Sequence, residues 1–269
     1  MAAYEGVLFA GAFFLYFLAA SCYLLRLVWK APVWGKAATI LAVLAVSLNA
    51  AAAVARTTGA GRAPFANMYE FGMLFVLCLG LLHLFIEWRQ KEQSFGAFIM
   101  PVAFLFSGFF ALYYQEARPL MPALKSNWLM AHVLTAVVAY GFLAVSFALG
   151  LMFYWRQGIQ GVTTLPSLER LENMTHQAIV AAMPFLTLLI ITGAVWAEYA
   201  WGTYWRWDPK ETWSLVTWII YAVYLHGRLS RGWRGRKAVN WALGGFLAVV
   251  FTFIGVNLLL SGLHSYALN

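Results

Sequence analysis

Apolar residues run along the chain in eight long blocks, at about 6–29, 36–55, 67–88, 96–114, 127–155, 175–199, 210–229 and 239–262. Polar and charged residues gather in the short gaps between them. A helix crosses a hydrocarbon core with about 20 apolar residues. Backbone in lipid must satisfy its own hydrogen bonds, so each block is predicted to be a transmembrane α-helix. The residue-by-residue alternation of a membrane β-barrel does not occur. The predicted fold is therefore all-α, a polytopic membrane protein of about eight helices. The gap at 157–174 is the one long connection. Within it, Pro166 to Arg170 predicts the start of a short amphipathic surface helix.

Composition narrows the function classes. Hydrophobic residues make up 63% of the 269 residues and charged residues 10%, with mean hydropathy +0.73. Soluble domains are nearer half apolar and a quarter charged. A soluble enzyme, a large extramembrane domain and a disordered chain are excluded. Cys22 and Cys78 both lie inside apolar blocks with no Cys-x-x-Cys, which argues against a disulfide scaffold, a dithiol site and a thiolate zinc site. The start, Met-Ala-Ala-Tyr-Glu-Gly, lacks the basic residues of a signal peptide, so the first block is expected to remain as a helix.

The net charge of +8 reports orientation and lipid contact rather than nucleic acid. The loops after helices 1, 3, 5 and 7 hold twelve Lys/Arg and the other loops six. Cytoplasmic loops are the basic ones, so both termini are expected outside. Arg228, Arg231, Arg234, Arg236 and Lys237 form the strongest cluster.

Between helices 6 and 7, seven of the 18 residues from Trp196 to Trp213 are aromatic. Six of the thirteen Trp fall between positions 196 and 218. Aromatic belts do form at membrane interfaces, but they spread over many helix ends. A dense indole platform of Trp201, Trp205 and Trp207 beside Arg206 and Lys210 suits a large flat ligand with anionic edges. Asp208-Pro-Lys-Glu211 also reads as a helix start: N-cap, proline at N1, capping-box Glu at N3. Asn67 to Glu70 reads in the same way, with Glu70 a cap or an ion-pair partner of Arg56 rather than a proton carrier.

The five histidines sort by depth. His132 lies five residues into helix 5, roughly 8 Å from its outer end, and His264 lies just past the outer end of helix 8. Both flank the indole loop. His226 lies fifteen residues after Glu211, roughly 22 Å further in. His83 and His176 fall in the inner half, where hydrogen-bonded interior groups are the commoner reading. Neutral imidazole ligates haem iron. Two histidines on different helices beside an aromatic platform could hold one haem from both faces. His226 is too far to share it, which suggests an outer and an inner site, or a route between them.

The run Trp201-Gly-Thr-Tyr-Trp-Arg-Trp-Asp-Pro-Lys-Glu-Thr-Trp-Ser-Leu215, continuing to Tyr224-Leu-His226-Gly-Arg228, resembles the tryptophan-rich WWD signature of haem-handling proteins. Its ending resembles the System II cytochrome c biogenesis branch, the CcsA/ResC type. Pro64 to Glu70, Trp128 to His132, Pro184 to Thr187, Gly193 to Trp196 and Gly262 to Tyr266 also look like family segments, so the resemblance covers about residues 60 to 269.

The resemblance implies that haem, as haem b, is carried outward and held at the outer face by His132 and His264. The WWD loop, about 196–213, supports the ring, with Arg206 or Lys210 at the propionates. It implies a second, intramembrane haem ligand at His226, whose opposite ligand belongs to a System II partner subunit of the CcsB/ResB type with a large external domain. His83 ranks below that partner as a source. It further implies covalent attachment to the Cys-x-x-Cys-His segment of an apocytochrome c, with no catalytic acid, base or nucleophile of this chain required. The chain then divides into a helix pair at 1–60 and a haem-handling domain at 61–269. It is expected to be a subunit of a cytochrome c synthase in a bacterial inner membrane, a thylakoid membrane being the second option. Two rival readings are a cytochrome b-like electron carrier and a solute transporter. The first would usually present paired histidines on one helix. The second would predict broken helices in corresponding halves.

Overall fold

The computed structural model describes residues 2–117, 119–159, 165–260 and 262. Eight long helices follow one another: α1 (Ala2–Trp29), α2 (Pro32–Ala60), α3 (Met68–Gln90), α4 (Gly96–Ala111), α5 (Asn127–Gly158), α6 (Leu168–Trp201), α7 (Pro209–Ser230) and α8 (Gly235–Leu259). Among the described residues there is no strand. The chain is a multi-pass membrane protein: seven of these helices are long and apolar enough to cross a membrane. The other is α7, which forms a helix over the expected residues but falls short in hydropathy. Lys210, Glu211, Thr212, Ser214 and Thr217 crowd its first turns.

Helix starts follow local chemistry. The side chains of Asn67, Ser126, Ser167 and Asp208 each accept a backbone N–H from the first turn of the helix they open. The predicted surface helix is not separate. Ser167 caps Leu168, and the helix runs unbroken to Trp201, because nothing between 170 and 175 interrupts it. Its polar first turn is tied down by Arg170, which donates to Gln90 Oε1 at 3.1 Å.

Cross-helix bonds define two ends of the bundle. At one end, which we call the basic end, Arg170 joins α6 to α3, Arg228 pairs with Glu172 and joins α7 to α6, and Tyr154 bonds Asn240 and joins α5 to α8. At the opposite, indole end, Arg56 of α2 lies between Glu5 of α1 (3.1 Å) and Glu70 of α3 (2.8 Å). There Lys210 of α7 also donates to Asn257 of α8 at 2.7 Å. The helices therefore alternate in direction. One hydrophobic core runs through all eight, from Ala12 and Tyr16 of α1 to Phe246 and Val249 of α8.

The last helix is not regular throughout. Near its indole end α8 widens into a π-helical segment at Phe251–Gly255. Such segments are rare and concentrate at functional positions. Thr252 in this segment bonds both Thr217 (2.9 Å) and the Trp213 carbonyl (3.1 Å) of α7.

Candidate functional site

At the indole end, α3, α5, α6, α7 and α8 line a partly open cavity. Its walls are mostly apolar and aromatic, among them Phe65, Phe71, Tyr140, Trp196, Tyr204, Trp205 and Phe253. The polar groups reaching it are few and convergent: His132, Lys210, Glu211, Ser214 and Asn67.

His132 enters from the first turns of α5. Its Nδ1 lies 2.9 Å from the Leu189 carbonyl of α6. A carbonyl can only accept, so Nδ1 is the donor, and when the ring is neutral Nε2 carries the lone pair. The imidazole lies nearly parallel to the Trp196 indole, at 6.1 Å and 19°. It has room because residue 193 is glycine. A Cβ there would stand 2.7 Å from Nδ1 and 2.8 Å from Cε1 of His132.

The Trp-rich loop is held by Glu211. Its Oε2 accepts the backbone N–H of Arg206 (2.8 Å) and of Asp208 (3.1 Å). Asp208 Oδ1 accepts the Lys210 N–H at 3.0 Å, and the Asp208 side chain also accepts the Glu211 N–H, which completes the expected capping box. The residue between the two tethered amides, Trp207, is forced to φ 60°. A non-glycine residue there costs about 1–3 kcal/mol and points to function. Its indole is 67% exposed and meets Trp205 edge-on at 5.7 Å.

The structure thus brings His132, Trp205 and Lys210 to one cavity. Trp205 Nε1 is buried with no hydrogen-bond partner among the described residues, which leaves one indole donor in the wall for an anionic group. Lys210 Nζ lies over the Phe253 ring at 5.6 Å. Trp201 stands behind the wall, edge-on to Trp196 at 4.9 Å. The Arg206 guanidinium is engaged by its own loop, donating to the Trp201 carbonyl (2.6 Å) and Thr203 Oγ1 (2.5 Å). Asp208 is buried in its cap. His264 lies outside the described residues. The chain at Gly262, two positions earlier, comes so close to the loop that a Cβ would stand 2.5 Å from Asp208 Oδ2.

The other histidines lie elsewhere. His226 is on the exposed face of α7, fifteen residues below Glu211. Since α7 is unbroken, the separation of roughly 22 Å stands. His83 is fully buried, with Nε2 3.0 Å from Tyr23 Oη and 3.3 Å from Glu87. His176 Nδ1 is 3.5 Å from Tyr224 Oη. Sequence reasoning missed Phe65, Tyr140, Gly193 and Phe253 as wall residues. Glu70, read as a cap residue or an ion-pair partner of Arg56, makes that ion pair. It also accepts from Arg62 (2.9 Å) and from the Ala66 N–H (2.7 Å), which fixes the loop that supplies Phe65 and Ala66.

The profile of the Cytochrome C assembly protein family matches residues 65–264. A cytochrome c biogenesis protein CcsA from Trieres chinensis is 36% identical over 245 residues, 77% of this chain and 78% of that protein. The CcsA protein from Chlamydomonas reinhardtii is 41% identical over 216 residues, 77% of this chain and 61% of its own length. The chain belongs to the CcsA-type cytochrome c assembly family. Membership gives it a role in cytochrome c biogenesis and implies haem and apocytochrome among the molecules it meets. The electron-carrier and transporter readings are not favoured. Another CcsA relative, from Gloeobacter violaceus, is 35% identical and covers 76% of this chain and 78% of its own length. The family's range leaves a thylakoid membrane consistent alongside a bacterial inner membrane. Among solved structures, the cytochrome c haem lyase CcmF shares the fold with a TM-score of 0.72. It is 19% identical and covers 94% of this chain and 46% of its own length.

Proposed function

We propose that the chain is the haem-delivery and haem-attachment subunit of a System II cytochrome c synthase. Haem b is its substrate, held in the cavity at the indole end, which faces outside together with both termini. The observation that carries this reading is His132: its Nδ1 is fixed on the Leu189 carbonyl, so Nε2 is the ligating atom, in the same cavity as Trp205 Nε1 and Lys210. A backbone bond at one ring nitrogen sets the tautomer and orientation of a metal-binding histidine. Trp205 Nε1 and Lys210 meet a propionate, while Trp207 extends the platform and Arg206, Trp201 and Asp208 hold its shape.

His264 supplies the opposite iron ligand, two residues beyond the contact between Gly262 and Asp208. When an apocytochrome Cys-x-x-Cys-His segment docks, its histidine replaces one of the two. Each thiol then adds across a haem vinyl group, sulfur to one carbon and hydrogen to the other. No leaving group forms and no nucleophile of this chain takes part. The subunit contributes orientation and a ligand field that suits reduced iron.

His226 belongs to a separate inner station. Its exposed position on α7 supports a second ligand from a CcsB/ResB-type partner subunit, since a histidine facing lipid alone is costly. In this reading the haem-handling unit is 61–269, and α1 and α2 are an appended pair.

The test is the absorption spectrum of the purified complex. Wild type should carry haem with two nitrogen ligands. His132→Ala and His264→Ala should each abolish maturation, with partial rescue by added imidazole. His226→Ala should deplete haem but recover when haem is supplied from outside. Full haem loading and normal maturation in both His132→Ala and His264→Ala would overturn the assignment.

A further inference from the structure

A second cleft opens at the basic end between α1, α2 and α3, away from the indole cavity. It holds two carboxylates and two cations, and they are not matched. Glu87 accepts from Tyr23 Oη (2.5 Å) and from Thr39 and pairs with His83. Glu92 caps the short turn at Gln93–Phe95 by accepting the Ser94 N–H at 3.0 Å. Neither carboxylate makes an ion pair with the cations of the cleft among the described residues. Arg26 and Lys91, which also line the cleft, have no carboxylate partner among the described residues.

Two polar atoms of its lining residues lack partners among the described residues. Arg26 Nε is buried without a hydrogen-bond partner among the described residues, and so is Ser94 Oγ. Ser94 is only 5% exposed. An unmatched buried donor costs about 1–3 kcal/mol, so a ligand that accepts from Arg26 is favoured. The rest of the wall is Thr39 and Gln93, which bond one another, and an apolar strip of Leu27, Val43, Leu84 and Trp88, of which Val43 and Trp88 are exposed. Lys91 Nζ lies 5.9 Å from the Trp88 ring, the arrangement of an anchoring residue at a headgroup boundary.

We propose that this cleft binds an anionic phospholipid. The phosphate takes the Arg26 guanidinium and Lys91 Nζ, and an acyl chain lies on Leu84 and Val43. Basic pockets between transmembrane helices at the cytoplasmic side recognise such headgroups. The bound lipid would fix α1 and α2 against α3.

The experiment is native mass spectrometry of the purified full chain in its complex, with phosphatidylglycerol and phosphatidylcholine offered separately. Wild type should retain one phosphatidylglycerol under activation that strips phosphatidylcholine. The double variant Arg26→Gln, Lys91→Gln should retain roughly tenfold less, the effect of losing about 1.4 kcal/mol. Arg89→Gln, an exposed cation outside the cleft, should bind as wild type does. Equal retention in the double variant, or equal retention of phosphatidylcholine by wild type, would overturn the proposal. So would a double variant that keeps phosphatidylglycerol but loses co-purified haem, because the anionic group would then be a porphyrin carboxylate. If the double variant does not fold, brominated phosphatidylglycerol in vesicles replaces it. Quenching should be weaker in Trp88→Phe than in wild type, and no difference would also overturn the proposal.

Discussion

Gly193 and His132 face one another across α5 and α6 so closely that a Cβ on residue 193 would stand 2.7 Å from the imidazole. The glycine is the seat of the proposed iron ligand. Gly193→Ala should push the ring away from the Leu189 carbonyl, and overpacking of this kind costs about 1–3 kcal/mol. Cytochrome c maturation should fall as it does in His132→Ala, although the histidine is still present. Haem staining of c-type cytochromes at matched protein levels checks this. Normal maturation would show that the ring tolerates a shift.

Trp205 offers its Nε1–H to the cavity with no other partner among the described residues. Trp205→Phe keeps most of the ring and removes the donor. A hydrogen bond to a charged group contributes about 1.5–3 kcal/mol, so haem affinity should drop by roughly tenfold or more. Titration of haem into the purified protein measures it. An unchanged affinity would assign the indole to packing alone.

Trp207 is held at φ 60° by the two amides bound to Glu211. Glycine adopts that conformation without cost. Trp207→Gly should leave the thermal midpoint unchanged or raise it, while maturation falls because the exposed indole is lost. A lower midpoint would mean that the indole stabilises the loop more than its backbone strains it.

Glu70 is fully buried between Arg56 and Arg62. Glu70→Ala leaves two cations facing no carboxylate from α3. Removing one partner of a buried pair costs about 3–5 kcal/mol. The protein should reach the membrane at reduced level and unfold at lower temperature, as thermal unfolding in detergent would register. An unchanged midpoint would make the cluster dispensable.

The orientation predicts that a reporter fused after Asn269 reads as outside and one inserted at Gly232 reads as cytoplasmic. The reverse pattern would place the indole cavity on the cytoplasmic side and remove the basis for attachment there.

Elements governed by neighbours in sequence were legible. Apolar blocks fixed where helices fall, and Asp208 and Glu211 disclosed their capping box because each partner lies within one turn. The helix ends were less so: α2 and α8 extend past their apolar blocks because polar residues at their ends are helical as well. The cavity walls were largely hidden. Phe65, Tyr140, Gly193 and Phe253 come from four separate stretches, and nothing along the chain marks them as neighbours. The partners of His83, Tyr23 on α1 and Glu87 one turn along α3, become a cluster only when α1 packs on α3. The break in regular winding at Phe251–Gly255 has no compositional mark at all.

That π segment holds one residue more than an α turn would, so the chain just beyond it keeps the phase of an uninterrupted helix. Deleting one residue between Phe251 and Gly255 should therefore relax the segment into regular helix and leave Gly262 against Asp208 Oδ2. Deleting one residue from the regular helix before it would instead turn the following chain by about 100° and carry Gly262 away. The segment is slack in the winding, a place where α8 can lose a residue without turning the chain beyond it.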